Sequence, residues 1–318
     1  DAGAGQQILD EALEALALLR LDLREAQPIG RLRRVHLGHQ SLIERSKSVA
    51  ETGQPLAVVT FEPTPRAWFG PENAPPRLAS VRQKLELLAD KGIDLVWLMR
   101  FNQALAEVDP DDFVSSVLVE RLAARQVVVG EDFRYGRARQ GDISSLRKSG
   151  EKLGFGVNIV LMREIDGEVV SSTLIRDCLA RGELDKAGRL LGRPYRMAGR
   201  VIRGRQLGRK LGYPTANMKL AARPSPLGGV FAIRARWAGG AWCDGVANLG
   251  TRPAVGGEGF LVEAHLFDFD GDLYGCMLEL EFVEKLRNET HFENIDDLVA
   301  QMREDERQAR YCLAPGKN

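Results

Sequence analysis

The hydrophobic pattern of this chain changes character once, near residue 184, and that change limits the fold more than any other feature. Before it, apolar runs of strand length alternate with segments of helical period. Leu56–Phe61, Asp94–Met99, Gln126–Val129 and Val157–Leu161 read as strands, and Gln40–Val49, Val81–Leu88 and Phe113–Leu122 as helices. Strand alternating with helix predicts a doubly wound parallel α/β sheet, whose ligands bind at the carboxyl ends of its strands. After Tyr195 the helical period disappears. Arg196–Ile202, Val230–Trp237, Trp242–Leu249, Phe260–Leu266 and Met277–Val283 predict a small antiparallel β-barrel, closed by a C-terminal helix over residues 293–311. The expected domains are therefore 35–184 and 185–314, after an atypical N-terminus over 1–34 in which residues 1–27 read as a helix.

A length of 318 residues with 44% hydrophobic content is enough for two buried cores. Lys and Arg total 44, as do Asp and Glu, so no global basic field recruits nucleic acid. The partners expected are small molecules, with no nucleic acid and no membrane. No apolar run approaches the about 18 residues needed to span a bilayer. The four cysteines, Cys178, Cys243, Cys276 and Cys312, have neither CxxC nor zinc spacing and read as reduced thiols of a cytoplasmic protein. Sequence leaves the assembly at a monomer or weak homo-oligomer.

Chemistry concentrates between Gly199 and Asn217, where four glycines and five positive charges share nineteen residues. Glycine lets backbone N–H groups approach an anion, and neighbouring cations favour phosphate over a neutral ligand. Gly204, Gly208, Arg209, Gly212 and Pro214 thus form a candidate phosphate cradle, although the spacing is not that of a Walker loop. Thr215 and Asn217 follow with neutral oxygens two residues apart, a donor set suited to magnesium. A solvated basic turn between two strands is the competing reading. Earlier in the chain, His36-Leu37-Gly38-His39 precedes a helical segment, and a helix N-terminus already favours anions.

Gly208-Arg209-Lys210-Leu211-Gly212-Tyr213-Pro214-Thr215-Ala216-Asn217 resembles the riboflavin kinase signature, and residues 245–253 and 263–274 match the same family. His36 to His39, Phe61-Glu62-Pro63, Gly130 to Gly136, Ser171-Ser172-Thr173 and Ile175-Arg176 resemble the FMN adenylyltransferase half of the bacterial bifunctional riboflavin kinase/FMN adenylyltransferase family. The resemblance implies that the barrel phosphorylates riboflavin to FMN at the expense of ATP. It assigns magnesium to Thr215 and Asn217, the base to Glu263, and ligand contacts to Asn248 and Arg252. His265, on the same strand face as Glu263, is left structural. In the first domain it implies adenylylation of FMN to FAD. His36 and His39 would stabilise the α-phosphate, and Arg176 with Ser172 and Thr173 the pyrophosphate. Phe61, Pro63, Asp132 and Phe133 would contact the bound molecules.

Two departures qualify this. Leu32-Arg33-Arg34 stands where the family has Phe-Asp-Gly, and no strand is expected before it. Written CTT CGA CGG, that tripeptide contains TTC GAC GG one base later, which is Phe-Asp-Gly; residues up to Arg34 are therefore read as out of frame, against a genuinely diverged N-terminus. Thr64 replaces a family histidine, losing an imidazole that could carry charge. The alternatives left open are a riboflavin kinase with an inactive first domain, and a non-catalytic flavin- or nucleotide-binding regulator.

Overall fold

Alternating apolar residues build a sheet with two covered faces. The computed structural model describes residues 15–19, 37–50, 53–204, 208, 211–219, 225–253 and 260–316, with backbone alone at 15–19, 219, 251–253 and 260. His36, Arg209 and Leu32-Arg33-Arg34 lie outside the described residues, as do the side chain of Arg252 and most of the expected N-terminal helix. Two compact units emerge, one of the residues up to Pro75 with Val81–Thr173, the other of Pro76–Ser80 with Leu174–Asn318.

In the first unit the order is β1 (Ala15–Leu19), α1 (Leu37–Val49), β2 (Leu56–Glu62), α2 (Pro65–Phe69), α3 (Val81–Asp90), β3 (Leu95–Arg100), α4 (Gln103–Ala106), α5 (Pro110–Phe113) and β4 (Ala124–Gly130). α5 runs on as a π-helical stretch, Val114–Arg121. α6 (Ile143–Leu153), β5 (Gly156–Val160) and the hairpin β6 (Glu164–Ile165) and β7 (Glu168–Val169) complete it, followed by α7 (Ser172–Arg181), which straddles the division between units. The sheet order is β3-β2-β1-β4-β5. Period-two alternation sends Val58 and Val128 to one face, against Leu42, Ile43 and Leu88 of α1 and α3. Val59, Val127 and Val129 face the other way, against Val114, Leu118 and Leu146.

Both flanking pairs, β2–β3 and β4–β5, are parallel as expected. The centre corrects two expectations. Ala15–Leu19, read as part of a helix, is a strand, and it runs antiparallel to both β2 and β4. A five-residue apolar run fits either period, and pairing along both edges decides for the strand.

The second unit contains α8 (Leu184–Leu191), β8 (Arg196–Ile202), β9 (Ala216–Lys219), β10 (Gly229–Trp237), β11 (Cys243–Pro253), β12 (Phe260–Leu266), β13 (Met277–Arg287) and α9 (Ile295–Leu313). The strands close a barrel in the order β10-β11-β12-β9-β8-β13. Met218, Ala247, Val262, Ala264 and Leu280 are fully buried within it, while α9 packs Ala309 and Leu313 on Ala232 and Phe267. On the outside of β8, β13 and β10 a charge ladder forms. Glu281 lies directly opposite both Arg196 and Arg234, and its carboxylate accepts from Arg196 Nε at 2.6 Å and sits 3.6 Å from Arg234 Nη1. Arg236 pairs Glu279 in the next register, and the Trp242 indole lies under both Arg196 (4.7 Å) and Arg236 (4.5 Å).

Candidate functional site

Strand β9 brings the separated polar residues of the barrel together. Asn217 pairs opposite Glu263 of β12, and Glu263 pairs opposite Asn248 of β11, so three polar residues form one row across adjacent strands. Their strand neighbours Ala247, Val262, Ala264 and Met218 point into the barrel, so the row lies on its outer surface. Directly opposed side chains have Cβ atoms about 5 Å apart, close enough to share one ligand. Glu263 is exposed, Asn217 is only 5% exposed, and the buried Oδ1 of Asn248 has no hydrogen-bond partner among the described residues. A buried acceptor left unpaired costs about 1–3 kcal/mol, which a donor from a ligand recovers.

The segment before β9 is held from two sides. Gly208 accepts from the N–H groups of Leu211 (3.0 Å) and Tyr213 (2.8 Å), and Gly212 adopts φ +84°, a conformation glycine takes without strain. His265 Nδ1 is 2.8 Å from the Pro214 carbonyl; a carbonyl only accepts, so Nδ1 carries the proton. The same ring packs edge-on against Tyr213 (5.1 Å) and Phe267 (5.9 Å). His265 thus fixes the main chain beside Thr215, a structural task. The Asn217 amide donates to the Thr215 carbonyl at 3.4 Å. Beside them opens a cavity of about 350 Å³, walled by Pro214–Ala216 and by the loop Phe269–Tyr274, and Arg203 lies 5.3 Å over the Tyr274 ring.

In the first unit, His39 sits in the opening turn of α1, where unbonded N–H groups favour an anion. Glu62-Pro63 is a cis peptide at the carboxyl end of β2. Phe61 and Phe133 are buried: Phe61 meets Phe101 edge-on at 5.8 Å, and Phe133 stacks on Tyr135 at 5.5 Å. Phe69, which sequence reasoning passed over, is 70% exposed with its ring braced on Phe101 at 5.8 Å. Its only signal was an aromatic residue a few positions beyond Pro63. Thr64 caps α2, its hydroxyl accepting from Ala67 N at 3.4 Å, so the position that lost an imidazole keeps a local role. Asp132 faces Arg139, whose guanidinium is pulled down by burial while Asp132 opposes that shift. Ser172 and Thr173 open α7, and one turn on, in the second unit, Arg176 Nε donates to the Pro76 carbonyl at 2.7 Å.

Sequence reasoning also missed β9. The signal was available in Ala216-Asn217-Met218-Lys219, which alternates as a strand directly after a proline. Four residues are short for a strand, and the segment read as part of the loop.

Comparison with known proteins follows the same division. A family profile described as FAD synthetase matches residues 24–174, and one described as riboflavin kinase matches residues 191–313. The bifunctional riboflavin kinase/FMN adenylyltransferase of Pseudomonas fluorescens is 44% identical over 90% of this chain and 92% of its own length. The protein of the same name from Haemophilus influenzae is 41% identical over 88% and 91%. A crystal structure described as a macrolide-efflux protein from Streptococcus pneumoniae superposes with a TM-score of 0.74 at 27% identity, over 89% of this chain and 92% of that one. Among the described residues of the present chain, no helix is long and apolar enough to cross a membrane, and all four cysteines are free. With both halves matched and about nine-tenths of each chain aligned, this protein belongs to the bifunctional riboflavin kinase/FMN adenylyltransferase family.

Proposed function

We propose that the barrel transfers the γ-phosphate of ATP to the ribityl 5′-hydroxyl of riboflavin, and that the α/β unit transfers AMP from a second ATP to FMN, giving FAD and pyrophosphate. The observation that carries the first half is the row Asn248–Glu263–Asn217 on one outer face of the barrel. An exposed carboxylate flanked by two amides, one with an orphaned acceptor, suits a polyol substrate. Glu263 accepts the hydroxyl proton as the oxygen attacks phosphorus, and Asn248 Oδ1 accepts from a substrate hydroxyl. Thr215 and Asn217 are the residues that would hold magnesium, and the fit rests on their neutral oxygen donors lying next to a carboxylate. Bound there, the ion would neutralise phosphate charge. The cavity beside Thr215 and the turn closed by Gly208 take the nucleotide, with Arg209 and Arg252 as further ligand contacts.

In the adenylyl transfer the FMN phosphate is itself the nucleophile, so no covalent enzyme intermediate is needed. His36 and His39 stabilise charge on the α-phosphate, and Ser172, Thr173 and Arg176 on α7 stabilise the leaving pyrophosphate. Phe61, Pro63, Asp132 and Phe133 shape the surroundings. A match to both profiles favours the bifunctional reading over a kinase alone, and a mere binder needs no base at Glu263. Free thiols among the described residues favour a cytoplasmic enzyme, and the balanced charge favours small-molecule partners over nucleic acid for a monomer or weak homo-oligomer.

We also propose that residues 1–34 are translated out of frame. It is supported by β1 running against the four other, mutually parallel strands of its sheet. Resequencing the gene across these codons decides it: an unchanged frame establishes a diverged N-terminus.

The first experiment is incubation with Mg-ATP and either riboflavin or FMN, separating flavins by chromatography. FMN from riboflavin and FAD from FMN are expected. A protein making neither product is not the proposed enzyme, and one making FMN alone is a kinase only.

A further inference from the structure

The glycines before Thr215 suit a phosphate cradle, but Gly204 faces something other than open space for an anion. A Cβ built on it would stand 2.5 Å from Cγ and Nδ2 of Asn217 and 2.6 Å from Oδ1, against the whole carboxamide at once. No real Cβ tolerates such distances, and the carboxamide has little freedom to move away. Asn217 is 5% exposed, its backbone is locked between β8 and β12, and its amide already donates to the Thr215 carbonyl. Gly212, in contrast, has nothing within 4 Å of its Cβ position.

We infer that Gly204 is the seat of the Asn217 carboxamide: its missing side chain, rather than its N–H, is what the site requires. Gly204 is thus a positioning residue, acting through Asn217 on the metal–nucleotide complex. The inference rests on the reading of Thr215 and Asn217 as magnesium ligands. It adds that the position tolerates no side chain while Asn217 is present, and tolerates alanine once the carboxamide is removed.

The test is direct binding of ADP to the full chain, by calorimetry, with magnesium and again in EDTA. The ratio of the two affinities isolates the metal. Gly204→Ala should lower that ratio roughly 10- to 100-fold, the usual loss when a residue orienting a metal ligand is changed, and leave affinity in EDTA within about twofold. In an Asn217→Ala background, Gly204→Ala should cost nothing further, because the two substitutions damage the same interaction. The double variant also removes the clash, so its thermal midpoint should match that of Asn217→Ala even if Gly204→Ala alone unfolds. Two results overturn the inference while sparing the metal reading: an equal loss of ADP affinity in EDTA, as a backbone phosphate cradle predicts, or additive losses in the double variant. An Asn217→Ala protein that keeps the full magnesium preference overturns the metal reading itself, and the inference with it.

Discussion

Two rows of polar side chains cross the outside of the same barrel, in the same directly opposed register, and they differ in chemistry. On β8, β13 and β10 the row reads Arg196–Glu281–Arg234, alternating in sign and closed by ion pairs. On β11, β12 and β9 it reads Asn248–Glu263–Asn217, with an acid between two neutral amides. Glu281 is 6% exposed with arginines on both sides, whereas Glu263 is exposed and Asn248 Oδ1 has no hydrogen-bond partner among the described residues. Ladder geometry is therefore indifferent to function. On the function proposed for the second row, a brace differs from a site in that its charges meet one another, whereas the site keeps an acceptor, Asn248 Oδ1, for a ligand to complete.

Exchanging the charge at the centre of each row sharpens this most. Glu263→Gln keeps shape and removes the proposed base, and should slow FMN formation about 10²- to 10⁴-fold with little change in thermal midpoint. Riboflavin and Mg-ATP turnover checks it; undiminished turnover would place the base elsewhere. Glu281→Ala takes from Arg196 and Arg234 the buried carboxylate they share, leaving Arg196 with Glu279 (3.5 Å) and Arg234 with Asp244 (3.8 Å), and should cost about 2 kcal/mol of barrel stability, read by urea unfolding. Should Glu281→Ala instead abolish turnover in a fully folded protein, the distinction between the rows collapses.

The sequence made one row far more legible than the other. Thr215 and Asn217 could be named because a basic, glycine-dense stretch has chemical meaning before any fold exists, and Glu263 because the resemblance to riboflavin kinases singled it out among several strand acids. The charge ladder could not, since Arg196, Glu281 and Arg234 are ordinary strand residues until register sets them opposite one another. Nor could the seat at Gly204, because a close approach between residues 204 and 217 depends on β8 pairing with β9, and β9 was too short to read as a strand. In the α/β unit the flanking strands were legible from β-branched runs, while Ala15–Leu19 was not, for its alanines and leucines suit a helix equally well. Phe61 and Phe133 stood out within motifs, yet both are buried among other rings, and the exposed aromatics at that end of the sheet are Trp68 and Phe69.

A smaller effect probes the orphaned acceptor. Asn248→Leu removes a buried oxygen that has no partner among the described residues and should raise the stability of the ligand-free protein by about 1 kcal/mol. The same change should raise the KM for riboflavin about tenfold, through the lost hydroxyl contact. Stability and affinity move in opposite directions only if the acceptor is held for substrate. Loss of both would make Asn248 a brace like Glu281.

The smallest expected effect concerns a third acid on β13, where the ladder has run out. Glu284 lies opposite Ala232 after a shift in register, so no arginine faces it across the strands. Desolvation raises its pKa first and the Asp185 carboxylate of α8 second, with the Lys285 N–H opposing both. A raised pKa means that the folded state holds the proton more tightly than the unfolded chain. This contribution is fully present below the unfolded value of about 4.3 and is lost as pH rises through the higher folded value. Glu284→Gln should therefore raise the thermal midpoint slightly at neutral pH, and the gain should shrink on acidification and vanish near pH 4. Thermal unfolding of both proteins across that range measures it. A gain that persists at pH 4 would assign the effect to packing, and a loss at neutral pH would mean that Glu284 is completed by a partner after all, as Glu281 is.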